Sequence, residues 1–386
     1  MSASPATSDS PDGLPAAPRP YGLLHPLCGC TAWNWARLVL ASGGIAPRCL
    51  PQAVVISLIS IFHSADRLRY WLLRGRRVKR VRLKDPVFIL GHWRSGTTFL
   101  HELFSRDPAL GYVTTWQAQV PHSALAFGAA ARLFRRLIPK QRQMDNVATH
   151  LLSPVEEAAA MANLTPWSVH HQWFFPADSS RHFERGAMLE GLSPRQVERW
   201  KRTFTEFLQM VTLAWDGRRL VLKNPENTAR IPTLLEMFPG ARFVFVYRNP
   251  YVVYASMVRL HRTLVRDMSL QGLATRRLEE RTFASYRRLH ERYFAARALV
   301  PEGRLVEIRF EDLEADPVGQ VRAAYRGLGL DGFEAARSGM EEYVHAISPY
   351  RKNRYRLAAE TIERIGREWA PTIERWGYRV PPELVA

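Results

Sequence analysis

Residues 86–104 hold the side chains whose types and spacing could do chemistry. Their sequence, Pro-Val-Phe-Ile-Leu-Gly-His-Trp-Arg-Ser-Gly-Thr-Thr-Phe-Leu-His-Glu-Leu-Phe, passes from an apolar run through a polar turn to apolar residues at helical spacing. The pattern predicts a strand, a loop over 91–96 and a helix. Such a loop directs backbone N–H groups inward above a helix N-terminus, so it suits a phosphate or sulfate group.

The spacing of this loop is close to that of the nucleotide-binding P-loop. Gly91 is followed after four residues by Gly96, Thr97 and Thr98, so Thr97 stands where an NTPase carries its phosphate-binding lysine. The basic residue lies inside the loop instead, at Arg94. A turn without any ligand is the alternative until a second anion site is found.

A second candidate for anion binding follows the apolar run 242–247, which predicts a strand. Arg248 ends that run, and Ser256 lies eight residues further on in a helix for which Asn249 is a good N-cap and Pro250 a good first residue. Open α/β sheets bind ligands at the carboxyl ends of their strands. An arginine at this place could also be an ordinary surface residue.

Composition points to anionic partners. The chain has 386 residues, 46% of them hydrophobic, and a formal charge of +18, with a pI near 10.3. Nucleotides, nucleic acid and an acidic membrane surface all fit this charge. Cys28, Cys30 and Cys49 lack the pairing of a disulfide framework or a zinc site, and no secretion signal is recognisable, so we expect a cytoplasmic protein.

The N-terminal part divides into a tail and an extension. Residues 1–20 are rich in proline and predict disorder. In the extension, 21–84, an apolar helix over 53–62 is shorter than the ~20 residues of a membrane span, and residues 67–84 carry nine Arg or Lys and no acid. This order predicts peripheral membrane contact through 49–84; the alternative is a solvated basic face beside a core helix.

The rest of the chain predicts an α/β fold. Further strands are predicted over 112–115, 218–222 and 304–310, and helices over 229–238, 250–258, 259–299 and both ends of 317–386. Strands that alternate with helices favour one parallel sheet covered on both faces. We therefore predict one domain over 85–386, with a helical insertion at 117–218.

Four motifs together resemble the sulfotransferases that use 3′-phosphoadenosine 5′-phosphosulfate (PAPS), in particular the bacterial branch of that superfamily. They are Trp-Arg-Ser-Gly-Thr-Thr at 93–98, Val-Leu-Lys-Asn-Pro-Glu-Asn at 221–227, Phe-Val-Phe-Val-Tyr-Arg-Asn-Pro at 243–250 with Ser256, and Val-Glu-Ile-Arg-Phe-Glu-Asp-Leu at 306–313. The resemblance covers about residues 85–360. It implies a three-layer, P-loop-like fold, PAPS as co-substrate and no metal.

The resemblance also implies which residues bind the donor. The 5′-phosphosulfate would be bound by the loop residues Arg94, Ser95, Gly96, Thr97 and Thr98. Arg248 and Ser256 would bind the 3′-phosphate, together with the late basic residues Arg351 and Lys352. The glycine that usually follows that basic pair is replaced by Asn353.

Sulfuryl transfer places growing negative charge on the bridging oxygen of the donor, so cations and a helix N-terminus should stabilise its transition state. Arg94 and Lys223 are the predicted catalytic cations. The general base is less clear, because Pro225 and Asn227 stand where relatives carry histidines. The run 153–157 resembles an acidic motif of the bacterial branch, which makes Glu156 the preferred base.

Two other residues, Glu226 and His101, are weaker candidates for the base, and Glu156 could instead be an acid that merely opens a helix. The acceptor would be a hydroxyl on a small or lipid-like molecule, held by aromatic residues of the insertion: Trp116, Trp167, Trp173, Phe174 and Phe175. No nucleic acid partner is expected. The alternatives are a P-loop kinase or NTPase, and a non-enzymatic basic protein that binds membrane or nucleic acid.

Overall fold

A central parallel sheet organises the molecule. The computed structural model describes residues 25–123, 151–271, 275–347 and 355–385. Within these residues five strands form one sheet in the order β2-β3-β1-β4-β5, and every ladder is parallel. The strands are β1 (Val87–Gly91), β2 (Leu110–Gly111), β3 (Arg219–Lys223), β4 (Arg242–Tyr247) and β5 (Leu305–Arg309).

Alternate residues of the strands belong to two separate apolar clusters, one on each face of the sheet. Val87, Ile89 and Val244 pack on one side with helices that follow β1 and β5, whereas Phe88 and Phe243 pack on the other. Because successive side chains of a strand point to opposite faces, apolar residues at every position require cover on both sides. The predicted three-layer α/β fold is therefore confirmed.

Helices make up most of the remaining described residues. In chain order they are α1 (Ala32–Ala41), α2 (Leu50–Lys79), α3 (Thr97–Phe104), α4 (Thr115–Gln119), α5 (Glu157–Leu164), α6 (His171–Phe174), α7 (Ser179–Phe183), α8 (Pro194–Ala214), α9 (Ile231–Met237), α10 (Pro250–Met268), α11 (Thr275–Ala296), α12 (Phe310–Ala315), α13 (Pro317–Gly327), α14 (Phe333–Ile347), α15 (Ala359–Glu368) and α16 (Ala370–Trp376).

Two predicted elements are wrong in detail. The strand predicted at 112–115 is absent, because Thr114 caps α4 in a capping box with Gln117, and the strand of this region is the short β2. The helix that starts at Pro250 does not stop at 258 but continues to Met268. Its N-cap is Asn249, as predicted, since the Asn249 side chain accepts a hydrogen bond from the Tyr251 N–H.

The apolar and basic parts of the N-terminal extension form one continuous helix, α2, of 30 residues. At 1.5 Å per residue this helix is about 45 Å long. Among the described helices, the stretch Pro47–Lys79 is long and apolar enough to cross a membrane, although 33% of its most apolar window is buried inside the protein. The helix predicted over 53–62 is therefore one part of a longer helix. The tail, 1–20, and residues 124–150 of the insertion lie outside the described residues.

Candidate active site

The loop after β1 has the backbone shape that an anion-binding turn requires. Gly96 adopts φ +99°, and a Cβ at this position would lie 2.1 Å from the ring of Phe310, so a side chain is excluded there. Arg94 also has a positive φ of 70°. No side chain caps the N-terminus of α3, because Gly96 is its N-cap residue. The first N–H groups of this helix are thereby left for a ligand.

Arg94, Arg248 and Ser256 come together at the carboxyl ends of β1 and β4. The Arg94 Nε donates a hydrogen bond to the Ser256 Oγ at 2.8 Å, and Arg248 Nη1 donates to the backbone oxygen of Arg94 at 3.2 Å. β4 lies directly beside β1, which explains how residues 154 positions apart meet. The two predicted anion sites therefore share one cleft.

Aromatic residues support this cleft. The guanidinium of Arg248 lies 4.1 Å from the ring centre of Phe310, and burial lowers the pKa of Arg248 below its usual value despite the opposing charge of Glu311. Tyr355 donates a hydrogen bond from its hydroxyl to the Ser256 Oγ at 3.2 Å. Phe310 fixes the plane of the arginine, which favours forked recognition of an anion.

A cluster of charged and titratable side chains, buried at Lys223 and partly exposed at Glu156 and His170, lies beside the loop at the end of β3. Lys223 is 2% exposed, and its Nζ donates to the Glu156 Oε1 at 2.6 Å. The other oxygen of Glu156 lies 3.4 Å from the His170 Nε2. In the sheet, Lys223 pairs with Ile89 of β1, two residues before the loop begins. The structure thus brings Glu156 and Lys223, both predicted catalytic residues, into direct contact.

The two neighbouring carboxyl groups of the acidic motif differ in pKa. Burial alone would raise the pKa of Glu156, but the charge of Lys223 and the contact with His170 outweigh it, so the pKa lies well below its usual range. Glu157 is fully buried, and burial raises its pKa to about 7 although it accepts a hydrogen bond from Asn227. Such separation of two pKa values is common in acid–base sites.

Glu226 and His101, the weaker candidates for the general base, contact different residues from those around Glu156. Glu226 is buried and forms an ion pair with Arg230 at 2.9 Å, which suits a structural role. His101 is buried on α3, and its ring lies 6.4 Å from that of Tyr112. Asn227, at a place where relatives carry a histidine, donates its hydrogen bond to Glu157.

The aromatic residues predicted to hold the acceptor are all buried, but they belong to different clusters. Trp173, Phe174 and Phe175 lie in the cluster that also contains Trp93 of the loop, whereas Trp167 lies in the cluster against the sheet and Trp116 in a third. Trp173 contacts the charged cluster, with its ring 5.0 Å from that of His170. The five side chains therefore do not pack together as one group among the described residues.

Arg351 and Lys352 lie outside the described residues, so their predicted role at the 3′-phosphate stays a prediction. Sequence reasoning missed His170, because it is one of twelve histidines and nothing in its neighbourhood marks it. It also missed the part that Tyr355 plays beside Ser256, although Tyr355 follows the basic pair Arg351 and Lys352 by only a few residues. Glu157 belongs to the acidic run 153–157, but nothing in that run predicts that its side chain is buried.

Comparisons with known proteins agree with this geometry. The model of the sulfotransferase family matches residues 86–335. The omega-hydroxy-beta-dihydromenaquinone-9 sulfotransferase Stf3 of Mycobacterium tuberculosis (strain CDC 1551 / Oshkosh) is 34% identical over 358 residues, which cover 92% of each chain. Human carbohydrate sulfotransferase 6 is 24% identical over 327 residues, 78% of each chain.

Solved structures share the fold. Sulfotransferase STF9 from Mycobacterium avium superimposes with a TM-score of 0.70 at 18% identity and 91% coverage of both chains. STF1 from Mycobacterium tuberculosis H37Rv gives a TM-score of 0.63 at 20% identity, with 88% of this chain and 92% of that chain covered. The family model matches most of the sheet domain, and Stf3 is similar over nearly the whole length. These matches favour a sulfotransferase over a P-loop kinase or NTPase and over a non-enzymatic basic protein. The chain belongs to the sulfotransferase family and is an enzyme that transfers a sulfuryl group.

Proposed function

We propose that this enzyme transfers the sulfuryl group of PAPS to a hydroxyl group of a lipid-like acceptor. The observation that carries the proposal is the shared cleft of Arg94, Arg248 and Ser256. PAPS carries a phosphosulfate and a 3′-phosphate on opposite sides of one ribose. A protein that binds it therefore needs two groups of cationic or hydrogen-bonding residues close together, one for each anion. The resemblance assigns the loop 94–98 to the first group and Arg248 with Ser256 to the second.

We propose that the enzyme accelerates the transfer mainly by electrostatic stabilisation of the charge that develops on the leaving group. The acceptor oxygen forms a bond to sulfur while the bond from sulfur to the bridging phosphate oxygen breaks, and adenosine 3′,5′-bisphosphate leaves with the bonding electron pair. Lys223 and the N-terminus of α3 lie at the strand ends where this charge would develop. In such a buried site, fixed cations stabilise a developing charge more strongly than water does.

We assign Glu156 as the general base that accepts the proton of the acceptor hydroxyl. Its contact with Lys223 makes it a weak base in the free enzyme, because the pKa is held below the usual range. When Lys223 turns to the bridging oxygen of the donor, Glu156 loses its cation and its basicity rises. The base is therefore activated only once the donor is bound, and His170 on its other oxygen keeps the carboxylate in place.

A lipid-like acceptor is supported by the similarity to Stf3 and by the site itself. Stf3, at 34% identity, is a sulfotransferase of a dihydromenaquinone derivative. The loop residue Trp93 and the neighbouring Trp173 form an edge-to-face pair with ring centres 6.4 Å apart beside the charged cluster. An apolar wall next to a charged centre suits a molecule with one hydroxyl on a hydrocarbon body.

The expected location of the enzyme is part of the same proposal. A hydroxylated lipid resides in a bilayer, and an enzyme that acts on it must meet the membrane. We place the enzyme in the cytoplasm, where PAPS would be available, with peripheral membrane contact through 49–84. The long helix α2, which spans most of this segment, supports this placement.

The test is a product assay with PAPS and a long-chain prenyl alcohol, in which mass spectrometry detects the sulfate ester. Wild-type protein should form the ester, and Glu156→Gln should lower turnover about 100-fold with unchanged affinity for adenosine 3′,5′-bisphosphate. The matched control is Glu236→Gln, which breaks a surface Lys–Glu pair of the same 2.6 Å length. Wild-type turnover in Glu156→Gln would move the base elsewhere, and absence of ester with every hydroxyl lipid would refute the acceptor class.

A further inference from the structure

The outer side of α2 carries a continuous stripe of exposed apolar residues. Leu58, Ile61 and Phe62 are 64%, 61% and 66% exposed. With a period of 3.6 residues, they share one side of the helix with further exposed residues at both ends. The other members of this apolar stripe are Leu50, Val54, Leu68 and Leu72.

The stripe is long and free of charge over most of its length. From Leu50 to Leu72 it extends about 33 Å along the helix. The sequence contains no charged residue between Arg48 and Asp66. An exposed apolar surface of this size on a folded protein commonly marks an interaction site.

The short helix α1 adds to the same surface. It packs against α2, and its Trp33 and Leu40 are 68% and 84% exposed. An open apolar groove lies between the two helices, lined among others by Val39, Ile45 and Ala53. The two helices therefore present a broad apolar face with a furrow, rather than a single ridge.

Basic residues continue the stripe at its C-terminal end. By helical period, Arg76 and Lys79 lie on the same side as Leu68 and Leu72, and both are exposed. The segment 67–84 carries nine basic residues and no acid. Apolar residues that pass directly into cations match the hydrocarbon and the anionic headgroups of a lipid surface.

The opposite side of α2 is part of the protein core. Ala53 and Ile56 are buried in one apolar cluster together with Trp93 and Trp173, which lie beside the charged cluster of the active site. His63 and Asp66 are buried as well. A helix fixed to the core along one side, with ionisable groups on that side, is suited to lie flat on a bilayer rather than to cross it.

We propose that α1 and the outer side of α2 form a docking face that lies in the surface of an anionic membrane, with the groove between them occupied by hydrocarbon chains. This inference rests on the proposed function, since it names the surface from which the lipid-like acceptor is taken. The docked helix is also a wall of the cluster around Trp93 and Trp173, so the acceptor leaves the bilayer beside the active site.

The test is flotation with vesicles of phosphatidylcholine alone and of phosphatidylcholine with phosphatidylglycerol. The full chain should float with the anionic vesicles, bind the neutral ones more weakly, and be released by added salt. The double variant Leu58→Glu with Phe62→Glu should bind the anionic vesicles at least about tenfold more weakly. Both positions are exposed, so the fold should tolerate the change.

The matched control is Leu299→Glu with Val385→Glu, which changes two apolar residues of 58% exposure outside α1 and α2 and should float like the wild type. Equal binding of the α2 variant and the wild type, or no binding of the wild type to anionic vesicles, would overturn the proposal. A concentration-dependent dimer that Leu58→Glu with Phe62→Glu abolishes would assign the face to a second copy of the chain instead. Thermal stabilisation by adenosine 3′,5′-bisphosphate is followed in every variant, so a failure of nucleotide binding is seen separately from a failure of docking.

Discussion

Replacing Glu157 by glutamine should change how the stability of the enzyme depends on pH. Glu157 opens α5 and is fully buried, and its Oε2 finds no hydrogen-bond partner within the described residues. Burial raises its pKa from the usual 4.5 to about 7. Glutamine keeps the shape and the neutral state of the protonated acid but does not titrate.

The sign and size of the effect follow from the linkage between protonation and folding. Below pH 4.5 the carboxyl is protonated in both the folded and the unfolded chain, so it carries no penalty. As the pH rises to about 7, the unfolded chain loses the proton first, and the folded state is disfavoured. A shift of this size corresponds to about 3 kcal/mol, which the wild type loses across this window and Glu157→Gln does not.

The assay is urea unfolding of the wild type, Glu157→Gln and Glu156→Gln at intervals between about pH 3 and 8. Relative to the wild type, Glu157→Gln should gain stability as the pH rises and then level off above about 7. The neighbouring variant Glu156→Gln is an internal control of opposite sign. Because the pKa of Glu156 is lowered, its contribution to stability is present at neutral pH and is lost as the pH falls below its usual value.

Parallel pH profiles of Glu157→Gln and the wild type would refute the reasoning, because Glu157 would then ionise as easily in the folded chain as in the unfolded one. Profiles of the same sign for both variants would contradict the separation of the two pKa values. That separation matters for catalysis, since near neutral pH it leaves Glu156 ionised while Glu157 still retains a proton in part of the molecules.

Two further changes probe the cleft. Lys223→Met should lower kcat about 100-fold with little change in donor affinity, because the cation acts on charge that develops in the transition state; a loss confined to KM would show that Lys223 only binds the donor, and steady-state kinetics separate these cases. Gly96→Ala should cost about 1–3 kcal/mol of stability by urea unfolding, since alanine must adopt φ +99° and its Cβ would meet Phe310 at 2.1 Å. Wild-type stability of Gly96→Ala would mean that the loop relaxes freely.

The sheet and the shape of the loop after β1 could be predicted from the sequence because their signals are local. The run 242–247 is apolar throughout, and the structure has a strand with those bounds. Asn249 as N-cap and Pro250 as first residue likewise predict the start of α10 from local sequence. The strand predicted at 112–115 failed because Thr114 satisfies a helix N-terminus, and a capping box competes with a short β-like run.

The assembled site depends on contacts between distant positions, which a single sequence does not show. Glu156 meets Lys223 across 67 positions of the chain, and the order of the strands in the sheet creates this contact. The partnership of His170 with Glu156 has no local signature either. The exposed stripe of α2 could not be predicted either, because an apolar run alone does not show which side of the helix packs on the core.

The central claim is that the loop 94–98 and Arg248 hold opposite ends of one bisphosphorylated adenosine. The most direct test removes the Arg248 side chain and the 3′-phosphate separately and together. Calorimetry without metal measures the binding of adenosine 3′,5′-bisphosphate and of adenosine 5′-monophosphate to the wild type and to Arg248→Ala. The control is Arg259→Ala, which removes an exposed arginine of the helix α10 that follows Arg248.

The account predicts that Arg248→Ala weakens binding of the bisphosphate at least about tenfold, as expected for the loss of a hydrogen bond to a charged group, and leaves the weaker binding of the monophosphate unchanged. If both nucleotides lose affinity equally, Arg248 does not contact the 3′-phosphate. If neither binds the wild type, the cleft is not the donor site.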